Sequence, residues 1–212
     1  GFPKVYDGKN LLSTSDGNNF NEKLLVSNHE WLQYYICAAS FWILGKSTFA
    51  ARFPFSLFAI ASIYIIWLLG KNVYKSNLLA IGACMIYALN VQFLLYARQA
   101  RYYSLVLFYT ALSIFLVLKI CDIIKLKKVC SAKHKVLLYT MLFLAITLLF
   151  FSNRLGGAVF VGATTFYLLS TCDKRLFKII ILVIAGALPW GIWYIINNII
   201  FQAPNFGSNG FE

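Results

Sequence analysis

The sequence predicts an all-α, multi-pass transmembrane protein with about six spans and a juxtamembrane helix on its outer face. Three observations carry this. Of the 212 residues, 60% are hydrophobic and only 12% are charged, more apolar surface than a soluble domain of this size needs. Apolar runs of span length recur along the chain, separated by short polar loops rich in Lys and Arg. Aromatic residues reach 17%, which suits belts of Trp and Tyr at two membrane interfaces.

Residues 1–30 are polar and turn-rich, with Asp7-Gly8, Asp16-Gly17-Asn18-Asn19 and the isolated carboxylates Glu22 and Glu30. They read as an extramembrane segment, and with the helix that follows they form an extracytoplasmic region over 1–52. Residues 31–44 are apolar and helical but only 14 long. At 1.5 Å per residue they reach about 21 Å, short of a hydrocarbon core of about 30 Å. Gln33, Cys37 and Ser40 form a polar stripe along them. A helix lying in the interface is therefore expected, broken by Gly45-Lys-Ser.

The transmembrane domain is expected over 53–200. Its first span is 53–70, with Pro54 at its start, where a missing N–H is harmless. The second is 78–97 and the third 102–118. The fourth is 136–152. The fifth, 156–171, carries Ala158 and Gly162 as a small-residue face for close helix contact. The sixth is 176–200, where Pro189 and Gly191 predict a kink and Trp190, Trp193 and Tyr194 an interface. Residues 201–212 form a polar extracytoplasmic tail. The chain begins at Gly1 with no signal-peptide pattern before the polar stretch, and a piece of a longer protein is expected.

The net charge of +12 is distributed by loop. Loops 71–77, 119–135 and 172–178 hold Lys71, Lys75, Lys119, Lys125, Lys127, Lys128, Lys133, Lys135, Lys174, Arg175 and Lys178. The alternate loops hold only Arg98, Arg101 and Arg154. The positive-inside rule places the first set in the cytoplasm and the second outside. Basic residues spread over short loops, rather than along one soluble face, argue against nucleic acid as a partner and for the membrane. The cysteines, 37, 84, 121, 130 and 172, have no CxxC spacing and read as reduced and structural.

Nearly all the chemically able side chains share the outer side: Asp7, Asp16, Glu22, His29, Glu30, Arg98, Arg101 and Arg154. At its centre stands Tyr96-Ala-Arg-Gln-Ala-Arg-Tyr-Tyr103, between two apolar runs. Arg98 and Arg101, three apart, fall on one face of a helix end beside Tyr102. They are either interfacial anchors or a seat for an anion such as a lipid phosphate.

Four segments occur in a telling order: Asn28-His-Glu-Trp-Leu-Gln-Tyr-Tyr35, Ser40-Phe-Trp-Ile-Leu-Gly45, Phe49-Ala-Ala-Arg-Phe-Pro54 and Tyr96-Ala-Arg-Gln-Ala-Arg-Tyr-Tyr103. The series resembles the GT-C-type polytopic membrane glycosyltransferases, the group of protein O-mannosyltransferases and aminoarabinose transferases, over residues 1–170. Glu30-Trp31 stands where members often have Pro-Pro. The resemblance implies a GT-C-like fold and transfer of a sugar from a polyprenyl-phosphate carrier to a protein or a lipid or glycan acceptor. It also implies a catalytic acid just after a first transmembrane helix, which would precede Gly1.

Such a transfer needs a carboxylate to take the acceptor's proton and cations, or a divalent metal, to stabilise the departing phosphate. Glu30 and Asp7 are the catalytic candidates. Against these roles, Glu30 can cap the short helix and Asp7 can be a turn residue before Gly8. His29, Arg98, Arg101, Tyr102 and Arg154 are the substrate-binding candidates. His29 occupies the family's cationic position, or is a solvated loop histidine. Tyr102 can reach a phosphate oxygen or serve as a belt aromatic, and Arg154 can approach the site or snorkel. Two other functions compete: a transporter or flippase of a lipid-linked molecule, which would show polar groups or broken helices at mid-membrane, and a non-catalytic truncated membrane subunit.

Overall fold

A computed structural model describes residues 30–126, 131–171, 173 and 176–201. Every regular element among them is helical: α1 (Leu32–Leu44), α2 (Thr48–Tyr74), α3 (Asn77–Ala88), α4 (Val91–Ala97), α5 (Tyr103–Lys125), α6 (Ala132–Ser152), α7 (Arg154–Ser170), α8 (Phe177–Ala185) and α9 (Leu188–Phe201). Four stretches are long and apolar enough to cross a membrane: α2, α5, α6 and the continuous run Phe177–Ile196 through α8 and α9. The pair α3 and α4 adds a fifth if its two arms make one span. The described part of the chain is therefore all-helical and of membrane-spanning type. Helix α7, the remaining one of the six expected spans, has 17 residues.

Helix α2 packs along α3 and α5, α5 along α6, and α6 against α7, α8 and α9. The shared core includes Phe55, Leu105, Leu142, Ile146, Leu149, Ile179 and Val183, all essentially without solvent exposure. The outer surface is the reverse of a soluble protein's. Ile60, Leu78, Ile86, Val159, Phe166, Ile181 and Ile192 are all exposed, a belt that only an apolar solvent would accept.

Three local expectations change. Helix α2 begins at Thr48, capped by the Ser47 hydroxyl, so Pro54 lies inside it and not at its start. Proline has no N–H, so the Ala50 carbonyl one turn earlier loses its usual helical donor. The buried Ser40 hydroxyl of α1 donates to that carbonyl at 2.6 Å. The second expected span, 78–97, is not one rod. It bends by 66° between α3 and α4, where the Asn90 side chain caps α4 by accepting from the Phe93 N–H at 3.2 Å. Near the kink expected at Pro189 and Gly191, the regular helix is interrupted at Gly186–Ala187, within the turn preceding Pro189, whose missing N–H leaves the Ala185 carbonyl without its usual donor. There Thr147 of α6 donates its hydroxyl to the Gly186 carbonyl at 2.9 Å.

Ala158 and Gly162 face outward, and a Cβ at Gly162 would meet nothing within 4 Å. The expected small-residue contact face is not used within this chain. Helix α7 instead buries Gly157, Phe160, Thr164 and Leu168. Close approach occurs at Gly186, where an added Cβ would sit 2.8 Å from Ile146 Cγ2 on α6.

Candidate functional site: an arginine-lined end of the bundle

The expected break after α1 forms at Gly45, whose φ of 78° lies in the region that favours glycine and whose N–H donates to the Phe41 carbonyl. The chain then turns back into α2, bringing the polar stripe of α1 inward. Ser40 bonds the Ala50 carbonyl, and Cys37 Sγ lies 3.7 Å from the Ala51 carbonyl oxygen. Gln33 is buried, and its Oε1 accepts the Tyr102 N–H at 3.1 Å across 69 residues of chain.

Gln33 thereby holds the turn from Arg98 to Tyr102 that joins α4 to α5. Ser56 of α2 donates to the Ala97 carbonyl at 3.3 Å, and Ser104 of α5 donates to the Tyr96 carbonyl at 3.4 Å. Tyr96 stacks on Tyr103 with centroids 4.3 Å apart, and Tyr102 lies 4.5 Å from Tyr103. The turn is tied to three helices. Arg98 and Arg101 thus stand on a turn and not on one helix face, as the spacing had suggested.

Both arginines nevertheless line one open cavity of about 480 Å³, with Arg52, Gln99 and Ala100. Arg52 is the member that sequence reasoning missed. Its signal was present in Phe49-Ala-Ala-Arg-Phe-Pro54, which was read only as a helix start. None of the three guanidinium groups forms a salt bridge or a side-chain hydrogen bond among the described residues. Three like charges with no carboxylate beside them among the described residues make an anion seat, and guanidinium donors suit phosphate oxygens.

A second cavity, about 290 Å³, adjoins the first through Ala100 and Arg101 and is completed by Gln33, Tyr34, Cys37 and Tyr102. Burial raises the pKa of the Tyr34 phenol, offset in part by the Gln33 side chain and by the Arg101 charge. The Tyr102 phenol is also pushed up, first by burial and then by Tyr103, while Arg101 lowers it and Glu30 raises it. Tyr34 and Tyr102 therefore remain hydroxyl donors at neutral pH.

Glu30 and Arg154 come together. The Glu30 Oε1 accepts the Arg154 N–H at 3.3 Å and lies 3.8 Å from Arg154 Nε. Glu30 caps α7, not the short helix beside it, and its carboxylate meets the positive end of the α7 dipole. The Asn153 side chain completes that start by accepting the Gly156 N–H at 2.8 Å. Trp31 next to Glu30 packs edge-on to Trp193 at 5.1 Å, and Phe151 does so at 5.8 Å, so the aromatic residues of α9 gather at this same end. Asp7 and His29 lie outside the described residues. Among the described residues no three His, Cys, Asp or Glu side chains cluster closely enough to hold a metal.

A third cavity, about 570 Å³ and mostly apolar, opens at the α3–α4 elbow between Ile66, Tyr87, Asn90, Phe93 and Leu107. No family model, curated protein or solved structure matches this chain.

Proposed function

We propose that this chain is a GT-C-like membrane glycosyltransferase. It would move a sugar from a polyprenyl-phosphate donor to a protein, lipid or glycan acceptor on the outer face of the cell membrane. The observation that carries the reading is the triad Arg52, Arg98 and Arg101, without an acidic partner among the described residues, around one open cavity at the end of a bundle with an apolar outer belt. A lipid phosphate brings its anion to that depth while its chain stays in hydrocarbon. The ordered motif series of residues 28–103 supplies the glycosyl-transfer part of the proposal, and six spans with α1 lying in the outer interface belong to it.

In such a reaction the arginines offset the negative charge that grows on the phosphate as the sugar leaves. The acceptor's proton needs a carboxylate. Glu30 stands near Tyr102, which lines the neighbouring cavity, and is held by Arg154 at the α7 N-terminus. Asp7 is the alternative base.

The test is sugar transfer from a purified polyprenyl-phosphate sugar by Arg52→Ala, Arg98→Ala and Arg101→Ala, with melting temperature recorded alongside. Loss of one charge-assisted hydrogen bond, about 1.5–3 kcal/mol, corresponds to roughly a 10- to 150-fold slower transfer. Arg→Lys should restore only part of it, because a point charge replaces a two-pronged donor. Transfer at the parent rate by all three alanine variants would leave the arginines as membrane anchors.

One observation favours the second reading, a flippase of lipid-linked molecules. The 66° break between α3 and α4, with Asn90 at the bend, is the kind of interrupted helix that transporters use. Movement of a fluorescent lipid-linked phosphate across proteoliposomes, without any transfer, would establish that function instead. Absence of both activities would favour the non-catalytic subunit.

A further inference from the structure

The two cavities at the arginine end meet at Ala100 and Arg101. A single ligand can therefore place its phosphate in one and the group esterified to that phosphate in the other. The smaller cavity has a different chemistry from the arginine seat. Among the described residues Arg101 is its one charged lining residue, and Gln33, Tyr34 and Tyr102 contribute neutral polar groups and aromatic faces. At about 30 Å³ per liquid water its volume would hold roughly ten waters, room for a group the size of one sugar ring.

The hydrogen bonds within the lining leave a donor over. Gln33 Oε1 is occupied by the Tyr102 N–H, and the Tyr34 hydroxyl donates to no hydrogen-bond partner among the described residues. The Tyr34 O–H proton is thus left for a ligand oxygen. A cationic group would meet Arg101 and, among the described residues, no lining carboxylate, since Glu30 is committed to Arg154. An apolar group would strand the polar lining.

Building on the phosphate role of the arginines, we propose that the cavity of Gln33, Tyr34, Cys37 and Tyr102 receives the neutral, hydroxylated group esterified to that phosphate. Tyr34 is its specificity-determining donor. Two sources share this chemistry: a glycosylated polyprenyl phosphate, and a glycerophospholipid with a polyol headgroup.

The test measures binding to the purified full chain in detergent with three probes: polyprenyl phosphate, the same lipid carrying one hexose on its phosphate, and phosphatidylglycerol. The bare monoester carries more charge, so the readout is how the hexose-to-bare affinity ratio changes on substitution. Tyr34→Phe should lower that ratio by roughly 2- to 12-fold, the equivalent of one net hydrogen bond. Cys37→Leu, which puts apolar volume into the cavity, should lower it as well and serves if Tyr34→Phe fails to fold. A selective loss for phosphatidylglycerol, with the hexose ratio unchanged, would assign the cavity to ordinary phospholipid. Failure of the bare lipid to bind the parent protein would overturn the phosphate reading and this inference with it. Normal binding of the bare lipid, with no ratio moved by either variant, would overturn the cavity assignment alone.

Discussion

Ser40 shows how much one hydroxyl can carry in this chain. It supplies the donor that Pro54 cannot, to a carbonyl buried between α1 and α2. Ser40→Ala should leave the Ala50 carbonyl unsatisfied in a buried, apolar setting and cost about 1–3 kcal/mol. Ser56→Ala should cost less, because Ser56 bonds at 3.3 Å and is less deeply buried. Chemical unfolding of both variants in mixed micelles checks the order, and equal losses would remove the special role of Ser40. Tyrosine ionisation gives a second expectation. The folded state raises the pKa of Tyr34, chiefly by burial, so the folded chain holds that proton more tightly than the unfolded chain. Stability from this group is intact below the ordinary tyrosine pKa of about 10 and is lost as pH rises through the higher folded value. Melting temperatures above pH 10 should fall less steeply in Tyr34→Phe than in the parent.

At two of the helix irregularities, Pro54 and the α8–α9 break, a neighbouring helix supports the backbone where the regular ladder is interrupted. At the α8–α9 break the neighbour is α6, through Thr147 and through Ile146 against Gly186. Gly186→Ala should cost about 1–3 kcal/mol, since its Cβ would lie 2.8 Å from a buried side chain. Ile146→Ala makes room for that methyl while losing its own packing. The double variant should therefore be less damaged than the sum of the two single ones, and strict additivity in thermal melts would show that the contact is not the cause. At the α3–α4 elbow the support is local. Asn90→Ala removes the cap of α4 and should destabilise by about 1 kcal/mol. It should also raise the mobility of the arginine turn at the other end of that short helix, which a spin label at Gln99 would report.

Over the whole molecule, the arginine end and the lysine-rich end are opposite. Arg52, Arg98, Arg101 and the Glu30–Arg154 pair gather at one. At the other, Asn72 donates to Asp122 at 3.3 Å, and Lys71 and Lys119 lie over the rings of Trp67 and Phe115. The positive-inside rule, applied to the charge asymmetry of the loops, predicts that the lysine-rich end faces the cytoplasm. In a cysteine-free background, Lys46→Cys should react with an impermeant thiol reagent on intact cells and Lys133→Cys should not. The reverse pattern would invert the orientation and put the arginine seat on the cytoplasmic face.

Hydropathy and loop charge sufficed for the helical membrane class, for the short α1, and for Arg98 and Arg101 as a pair. Those properties are set by residues close together in the chain, which a linear reading samples well. The polar stripe of Gln33, Cys37 and Ser40 was equally legible, but not its task, because its partners lie on α2 and beyond α4. Arg52 joins Arg98 only because α2 packs against α4 and α5, and Glu30 meets Arg154 across 124 residues. The bend at Asn90 escaped notice because residues 78–97 are apolar enough for a straight span, and a single capping side chain redirected them. Composition selects the solvent in which a helix is stable. Which side chains meet at its ends is decided by interhelical packing, whose contacts depend on three-dimensional fit and leave no periodic trace in the sequence.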